Sequence, residues 1–404
     1  MWIGEIPEHW EVRHLSQVSY EHYISNKEVH HQNLLSLSYG RIIRKDINTT
    51  EGLLPASFDT YQIVEEGNIV MRLTDLQNDH KSLRVGLVKE EGIVTSAYVC
   101  LGVYDSVYPS YLYNVLHSYD IKKLFYSMGG GLRQNLNWQG LKKLDIPLPP
   151  QDEQQTIVAY IEEKSQKIDA YVADKEKEIE FLQELKQKTI ADAVTKGLNP
   201  DAKMTDSGIS WIGEIPEHWE VKKIGSLFVE RREKVSDKEF PALSVSKQGV
   251  TPQLDTAVKT DNGDNRKKVC KNDFVVNSRS DRKGSCGVSP YTGSVSLINI
   301  VLSPRENIEV QYFHHLFRSN NYIEEYYRIG RGIVADLWTT RYSEMRNIFV
   351  PLPPKDEQQS IVAYIEEKCE KIDKLASELQ SEIDYLKEYK QRLIADCVTG
   401  QVKV

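Results

Sequence analysis

The sequence predicts an α+β protein: two mixed α/β domains joined by two long helices that pack as an antiparallel coiled coil, with a pseudo-twofold internal repeat. Three observations carry this. Trp2–Val12 reads WIGEIPEHWEV, and Trp211–Val221 reads WIGEIPEHWEV again. Pro147–Asp169 (PLPPQDEQQTIVAYIEEKSQKID) returns as Pro351–Asp373 (PLPPKDEQQSIVAYIEEKCEKID). Between these blocks the two copies barely match, so one frame holds two unlike inserts. The expected boundaries are a domain over 1–150, a long helix over 151–198, a linker over 199–210, a second domain over 211–354 and a second long helix over 355–404.

In the first insert, Asn33–Tyr39, Asn68–Leu73, Leu83–Lys89 and Ile93–Tyr104 are apolar, β-branched stretches that predict strands. Pro109–Tyr126 carries Leu112, Val115, Leu116, Tyr119 and Leu124 roughly on one face and predicts a helix. In the second insert, Ala242–Ser246, Asp273–Ser278 and Ser294–Leu302 predict strands, and Val310–Arg328 the matching helix. Glycine-rich turns follow both helices, at Gly129–Gly131 and Gly330–Gly332.

After each PLPP the chain predicts a long helix. Asp152-Glu153 and Asp356-Glu357 place negative charge at the positive end of the helix dipole. The second helix has Ile365, Ile372, Leu379, Leu386 and Leu393 at a spacing of seven, with Leu375 at d and Ile383 at e. The first has Ile161, Ile168 and Leu182 in the same register, broken by Lys175 and Thr189. Such heptads predict a buried seam, each helix being the other's partner. The alternative is that each helix packs on its own domain. Lys196–Ser210, polar with Gly and Pro, reads as the linker.

The net charge of −8 is unevenly spread. Residues 151–196 and 355–396 each hold 11 acidic and 7 basic side chains, which accounts for all of it. Arg231–Lys283 holds 13 basic against 8 acidic, enough local field to attract a polyanion. No apolar run reaches the roughly 18 residues of a membrane span. Five cysteines without CxxC spacing read as reduced thiols in the cytoplasm. No P-loop, HExxH, metal-spaced Cys/His cluster or G-x-S-x-G elbow occurs, which points to a binding protein rather than an enzyme.

The twin WIGEIPEHWEV blocks and the twin PLPP-x-DEQQ-x-IVAYIEEK blocks ahead of long helices resemble the specificity (S) subunit of type I restriction–modification systems. The resemblance covers essentially the whole chain. It implies that 1–150 and 211–354 are target recognition domains, each reading half of a split double-stranded DNA sequence, with the helices as spacer. It also implies two methyltransferase (M) subunits and two restriction/motor (R) subunits as partners. S-adenosylmethionine, ATP and magnesium would be used by those partners, and this chain would hold no cofactor or metal and no catalytic group.

Guanidinium and ammonium groups read guanine, and Asn or Gln reads adenine. On that chemistry the DNA-binding candidates in the first insert are Tyr39, Arg41, Arg72, Lys81, Arg84, Arg133 and Gln134. In the second they are Lys247, Gln248, Asn277, Arg279, Arg282, Lys283 and Arg331. Ser278–Ser285 (SRSDRKGS) is the most DNA-like stretch, while Arg266-Lys267-Lys268 reads as phosphate attraction or plain solvation. Two other functions compete: a noncatalytic protein-interaction scaffold, and a fused DNA-modifying enzyme, which the missing motifs disfavour.

Overall fold

The blocks that recur in the sequence are partners in space. In the computed structural model, which describes residues 4–48, 55, 57–79, 82–128, 135–253, 263–305, 308–331 and 338–404, Glu11–His14 pairs antiparallel with Asp145–Leu148. Glu220–Lys223 pairs in the same way with Phe349–Leu352. Glu153 of the first DEQQ accepts from Trp10 Nε1 at 3.0 Å and meets His9 Nε2 at 2.9 Å. Glu357 meets His218 Nε2 at 2.8 Å. The buried amide of Gln154 donates to Pro149 O and accepts from Tyr108 N, and Gln358 repeats this with Pro353 O and Glu309 N. These contacts explain why the PEHW and DEQQ motifs appear together in both copies.

The chain forms two compact units, Met1–Glu176 with Gln380–Val404, and Lys177–Leu379. In the first, an antiparallel sheet runs in the order Ser19–Glu21, Val99–Val103, Ile69–Met71, Val85–Leu87. A second sheet joins Ile24–Ser25, Gln62–Val64 and Gly92–Val94. A hairpin joins Leu35–Ser38 to Arg41–Arg44. In the second unit the corresponding order is Phe228–Glu230, Asn299–Pro304, Phe274–Asn277, Cys286–Val288. Its second sheet joins Lys234–Val235, Arg266–Val269 and Gly293–Val295, and its hairpin joins Leu243–Ser246 to Gly249–Pro252. Unlike inserts thus adopt one strand order.

Several predicted elements are subdivided. Ile93–Tyr104 is two strands, because Thr95–Tyr98 turns, with Tyr98 N bonded to Thr95 O at 3.1 Å. Ser294–Leu302 splits in the same way around the Asn299 N to Ser296 O bond. The first helix ends at Ile121, since Lys123 adopts φ 59°, and resumes as Leu124–Met128. The second stops at Phe317; Ser319 then caps Asn320–Arg328 by accepting from Tyr322 N. The segment read as linker contains a strand, Met204–Asp206, paired with Glu214–Pro216. Gly129–Gly131 and Gly332 lie outside the described residues.

The long helices span Gln151–Lys196 and Lys355–Val398. In the first unit Lys390 pairs with Asp169 at 2.7 Å, Lys387 with Glu176 at 3.2 Å and Lys175 with Glu382 at 3.5 Å. In the second unit Lys186 pairs with Asp373 at 2.7 Å. Rising numbers on one helix meet falling numbers on the other, so the segments within the first unit run antiparallel. Ile161, Ile168, Ile365, Leu379 and Leu393 are buried, and Leu182, Ile372 and Leu386 partly so. One detail of the predicted seam changes. Leu375 is 45 % exposed while Ile383 is fully buried, so the apolar stripe follows Ile383 instead. Lys175, which interrupts the apolar register, is only partly exposed and lies 3.5 Å from Glu382 of the facing helix. Each helix ends at a left-handed glycine: Gly197 (φ 74°) against Trp219, and Gly400 (φ 71°) against Pro7 and Trp10.

Around Ile361 and Ile365 a core gathers Val194, Trp219, Phe228, Tyr312, Phe313, Phe317 and Val350. Tyr312 OH lies 2.8 Å from Val194 O and 3.4 Å from Pro351 O, and in the first unit Tyr111 OH lies 3.3 Å from Val398 O and 2.9 Å from Pro147 O. On the Tyr312 helix, His314 Nδ1 accepts from Val288 N at 3.2 Å. Burial, with Arg318 beside it, pushes the His314 imidazole down to about 3, and the same causes push His315 down to about 4. A histidine whose folded value is depressed contributes stability above its ordinary value of about 6.5, lost as pH falls towards the folded value. The melting temperature of the wild-type chain should therefore drop between pH 7 and 5. His314→Asn, whose Oδ1 can still accept from Val288 N, should show a smaller drop. An equal drop in both would remove His314 from the account.

Candidate nucleic-acid interface

In the second unit three segments converge. The hairpin tip Lys247-Gln248 is exposed. The chain leaving Phe274–Asn277 forms Ser278–Ser285, and Thr340 N donates to Ser278 O at 3.0 Å, which brings in the segment that follows the glycine turn. Between them lies an open cleft of about 590 Å³ lined by Lys247, Asn277, Arg279 and Arg282 among others. A neighbouring cleft of about 470 Å³ shares Arg279 and adds Arg232, Lys267 and Arg341. Among the described residues, the acidic lining residues are Asp281 in the first and Glu230 in the second. A concave, mainly cationic surface focuses field onto a polyanion.

The loops are held from beneath. Arg318 donates to Lys247 O at 2.6 Å and to Cys286 O at 2.8 Å. Tyr327 OH lies 3.3 Å from both Arg279 O and Arg282 O. Arg279 and Arg282 remain exposed. Exposed guanidinium forks on a braced loop can meet phosphates or base edges.

The sequence candidates do not all fare alike. Lys247, Asn277, Arg279 and Arg282 come together at one cleft. Asn277 uses its Oδ1 inward, accepting from Arg279 N at 3.1 Å, so it shapes the loop. Lys283 turns aside to Glu324 at 2.6 Å and over the Tyr327 ring. Arg331 is exposed and bridges Thr339, which lines the neighbouring cleft. The Arg266-Lys267-Lys268 run is neither loose nor merely solvated. Arg266 is buried on Ser294, Lys267 donates to Asn299 O, and Lys268 pairs with Glu233. Arg232 and Arg341 were missed, since nothing in the local sequence separates them from other surface arginines.

In the first unit the equivalent hairpin tip is Tyr39-Gly40, with φ 45° and 77°, the left-handed pair of a type I′ turn. Tyr39 is 73 % exposed, and Arg41 follows it, also exposed. Arg72 leaves its strand partly exposed, at the position that Asn277 holds in the second unit, with Arg72 N bonded to Arg84 O as Asn277 N is to Ser285 O. Leu136 N donates to Leu73 O, the counterpart of the Thr340–Ser278 bond. Arg84 must be withdrawn as a reader: its side chain is wholly buried and hydrogen-bonded to main-chain carbonyls. Lys81, Arg133 and Gln134 lie outside the described residues.

Residues 85–180 match the family model for the type I restriction modification DNA specificity domain. This stretch is similar to a type I DNA specificity domain. That segment runs from the last strand of the four-stranded sheet through the PLPP block into the first long helix. Over its full length the chain is 25% identical to a protein assigned as the MjaX type I restriction enzyme specificity subunit of Methanocaldococcus jannaschii, covering 96% of it. Its fold matches a chain solved in work on complex assembly and conformational transition of the type I R-M system, with TM-score 0.67, 15% identity and coverage of 98% and 100%. It also matches the crystal structure of the HsdS subunit from Thermoanaerobacter tengcongensis, with TM-score 0.55, 16% identity and full coverage of both chains. The chain is thus similar in sequence to a type I specificity subunit and shares the fold of chains from these systems. Among the described residues, no helix is long and apolar enough to cross a membrane.

Proposed function

We propose that this specificity subunit reads a bipartite, asymmetric double-stranded DNA target, one half with each unit. One observation carries the reading: the two units share a strand order, yet present different residues at the same place. Tyr39-Gly40 forms the hairpin tip of one where Lys247-Gln248 forms that of the other, Arg41 stands where Gly249 stands, and Arg72 where Asn277 stands. Like scaffolds with unlike readers imply unlike half-sites. The residues 1–150 and 211–354 act as the target recognition domains. The helices over 151–198 and 355–404 form an antiparallel coiled-coil spacer and dock two methyltransferase and two restriction subunits. The ion pairs Lys390–Asp169 and Lys186–Asp373, 204 positions apart in both members and one in each unit, support the internal repeat. No cofactor is assigned to this chain; S-adenosylmethionine, ATP and magnesium belong to its partners.

The test is methylation mapping in cells that carry this chain with its methyltransferase partner. The expected result is one split motif with unlike halves. For the assembled complex, affinity for that DNA should fall by about 10³-fold or more between 50 and 200 mM salt, as neutralised phosphates release counterions. A palindromic motif, or salt-independent binding, contradicts the reading.

A further inference from the structure

Arg84 has an unusual setting for a guanidinium. Its side chain is wholly buried. Nη1 donates to Arg72 O at 3.1 Å and Thr74 O at 2.9 Å, and Nη2 to Asp75 O at 3.4 Å and Asp79 O at 2.6 Å. Nε donates to Tyr126 OH at 3.0 Å. All five N–H donors are thereby used, four of them on carbonyls of one short stretch, Arg72–Asp79. Tyr126 OH donates in turn to Asp79 O at 3.0 Å, and its ring stands 5.2 Å from the guanidinium carbon. The main chain of Arg84 is also held: its N–H donates to Asp120 and its carbonyl accepts from Arg72 N at 2.9 Å.

The wrapped stretch is under strain. Asp75 has φ 56°, a left-handed conformation that a non-glycine residue keeps only where its surroundings impose it. Asn135 Oδ1 receives the Asp75 N–H at 2.9 Å. The stretch is also where the first unit presents its polar surface. Arg72 begins it, Asn78 is exposed at its far end, and the hairpin tip at Gly40 packs on Leu83 beside it.

We propose that Arg84 is a specificity-positioning residue: its buried guanidinium is a template around which Arg72–Asp79 is folded into the shape that reads one half of the DNA target. This rests on the split-target reading above. Lysine cannot substitute, because an ammonium offers three donors from one point instead of a five-donor planar fork. The second unit has Ser285 at the position of Arg84, and its corresponding loop is braced by Tyr327 OH on Arg279 O and Arg282 O. The effect must therefore be confined to one half-site.

The experiment compares the assembled methyltransferase carrying the wild-type chain, Arg84→Lys or Tyr126→Phe. Motif discrimination is mapped at every position of both half-sites. Hydrogen–deuterium exchange over 72–79 and melting temperatures are measured alongside. The expected result for Arg84→Lys is about a tenfold loss of discrimination at one or more bases of a single half-site, the scale of one base contact misplaced. The other half-site stays intact and 72–79 exchanges faster. Tyr126→Phe, which removes one hydroxyl, should show the same pattern more weakly at unchanged melting temperature, and it decides the matter if Arg84→Lys does not fold. Unchanged discrimination and exchange in folded variants, or equal loss in both half-sites, overturns the proposal. A wild-type complex with no split motif overturns the split-target reading instead, and the exchange data then judge the template alone.

Discussion

Ile365→Asp is expected to lower the melting temperature by about 10 °C or more, since an unpaired buried carboxylate costs roughly 3–5 kcal/mol and each kcal/mol moves a unit of this size by about 2–4 °C. Ile365 is fully buried in the core that joins Val194, Trp219, Tyr312 and Val350. Among the described residues, that core is built of apolar and aromatic side chains. Leu375→Asp, on the same helix, is the control. At 45 % exposure its carboxylate stays hydrated, and the change should stay within about 0.5 kcal/mol. Thermal unfolding of both variants checks this. Equal losses would mean that the buried stripe of this helix has been wrongly drawn.

Exchanging residues 12–146 for the insert of a related specificity subunit should replace one half of the methylated motif and leave the other half unaltered. The exchanged segment carries the Tyr39-Gly40 tip, Arg72–Asp79 and the Arg84 template. It leaves in place Trp10, Glu153 and Gln154 of the frame; Val12 and Ile146, at the cuts, lie in the Glu11–His14/Asp145–Leu148 ladder. That ladder bonds through main-chain groups, so a foreign insert with the same strand order can use it. The effect is a change of recognised sequence, not of affinity alone. Mapping methylated bases before and after the exchange is decisive: simultaneous change in both halves would refute independent reading.

The features legible in the sequence were those encoded by repetition or period. The twin blocks foretold the frame, and sevenfold spacing foretold long helices with Ile365 and Leu379 turned inward. Continuous apolar runs hid the turns at Thr95–Tyr98 and at Ser296, because burial on both sides of a turn keeps the composition apolar. Arg84 was misread for a physical reason. A buried guanidinium satisfied by carbonyls and a solvated one seeking guanine are the same letter, and only the fold supplies the carbonyls. Gln154 and Gln358 stood in the repeated DEQQ block, but their work, joining a helix start to a distant backbone N–H, could not be read from the letters.

The glycines that end the long helices have a consequence for how such proteins can change over generations. A Cβ on Gly400 would stand 2.3 Å from Pro7 Cδ, and one on Gly197 would stand 3.0 Å from Glu357 Oε1 and 3.1 Å from the Trp219 ring. Both sites also need a left-handed backbone that other residues resist. Mutational drift is therefore barred at these two joints. An inherited change in helix length must enter as an insertion or deletion in the middle, where most side chains are exposed and only the buried stripe of Val172, Leu379 and Ile383 has to shift to a new register. The length of each helix is consequently a trait that lineages can alter in whole steps without rebuilding the parts at either end.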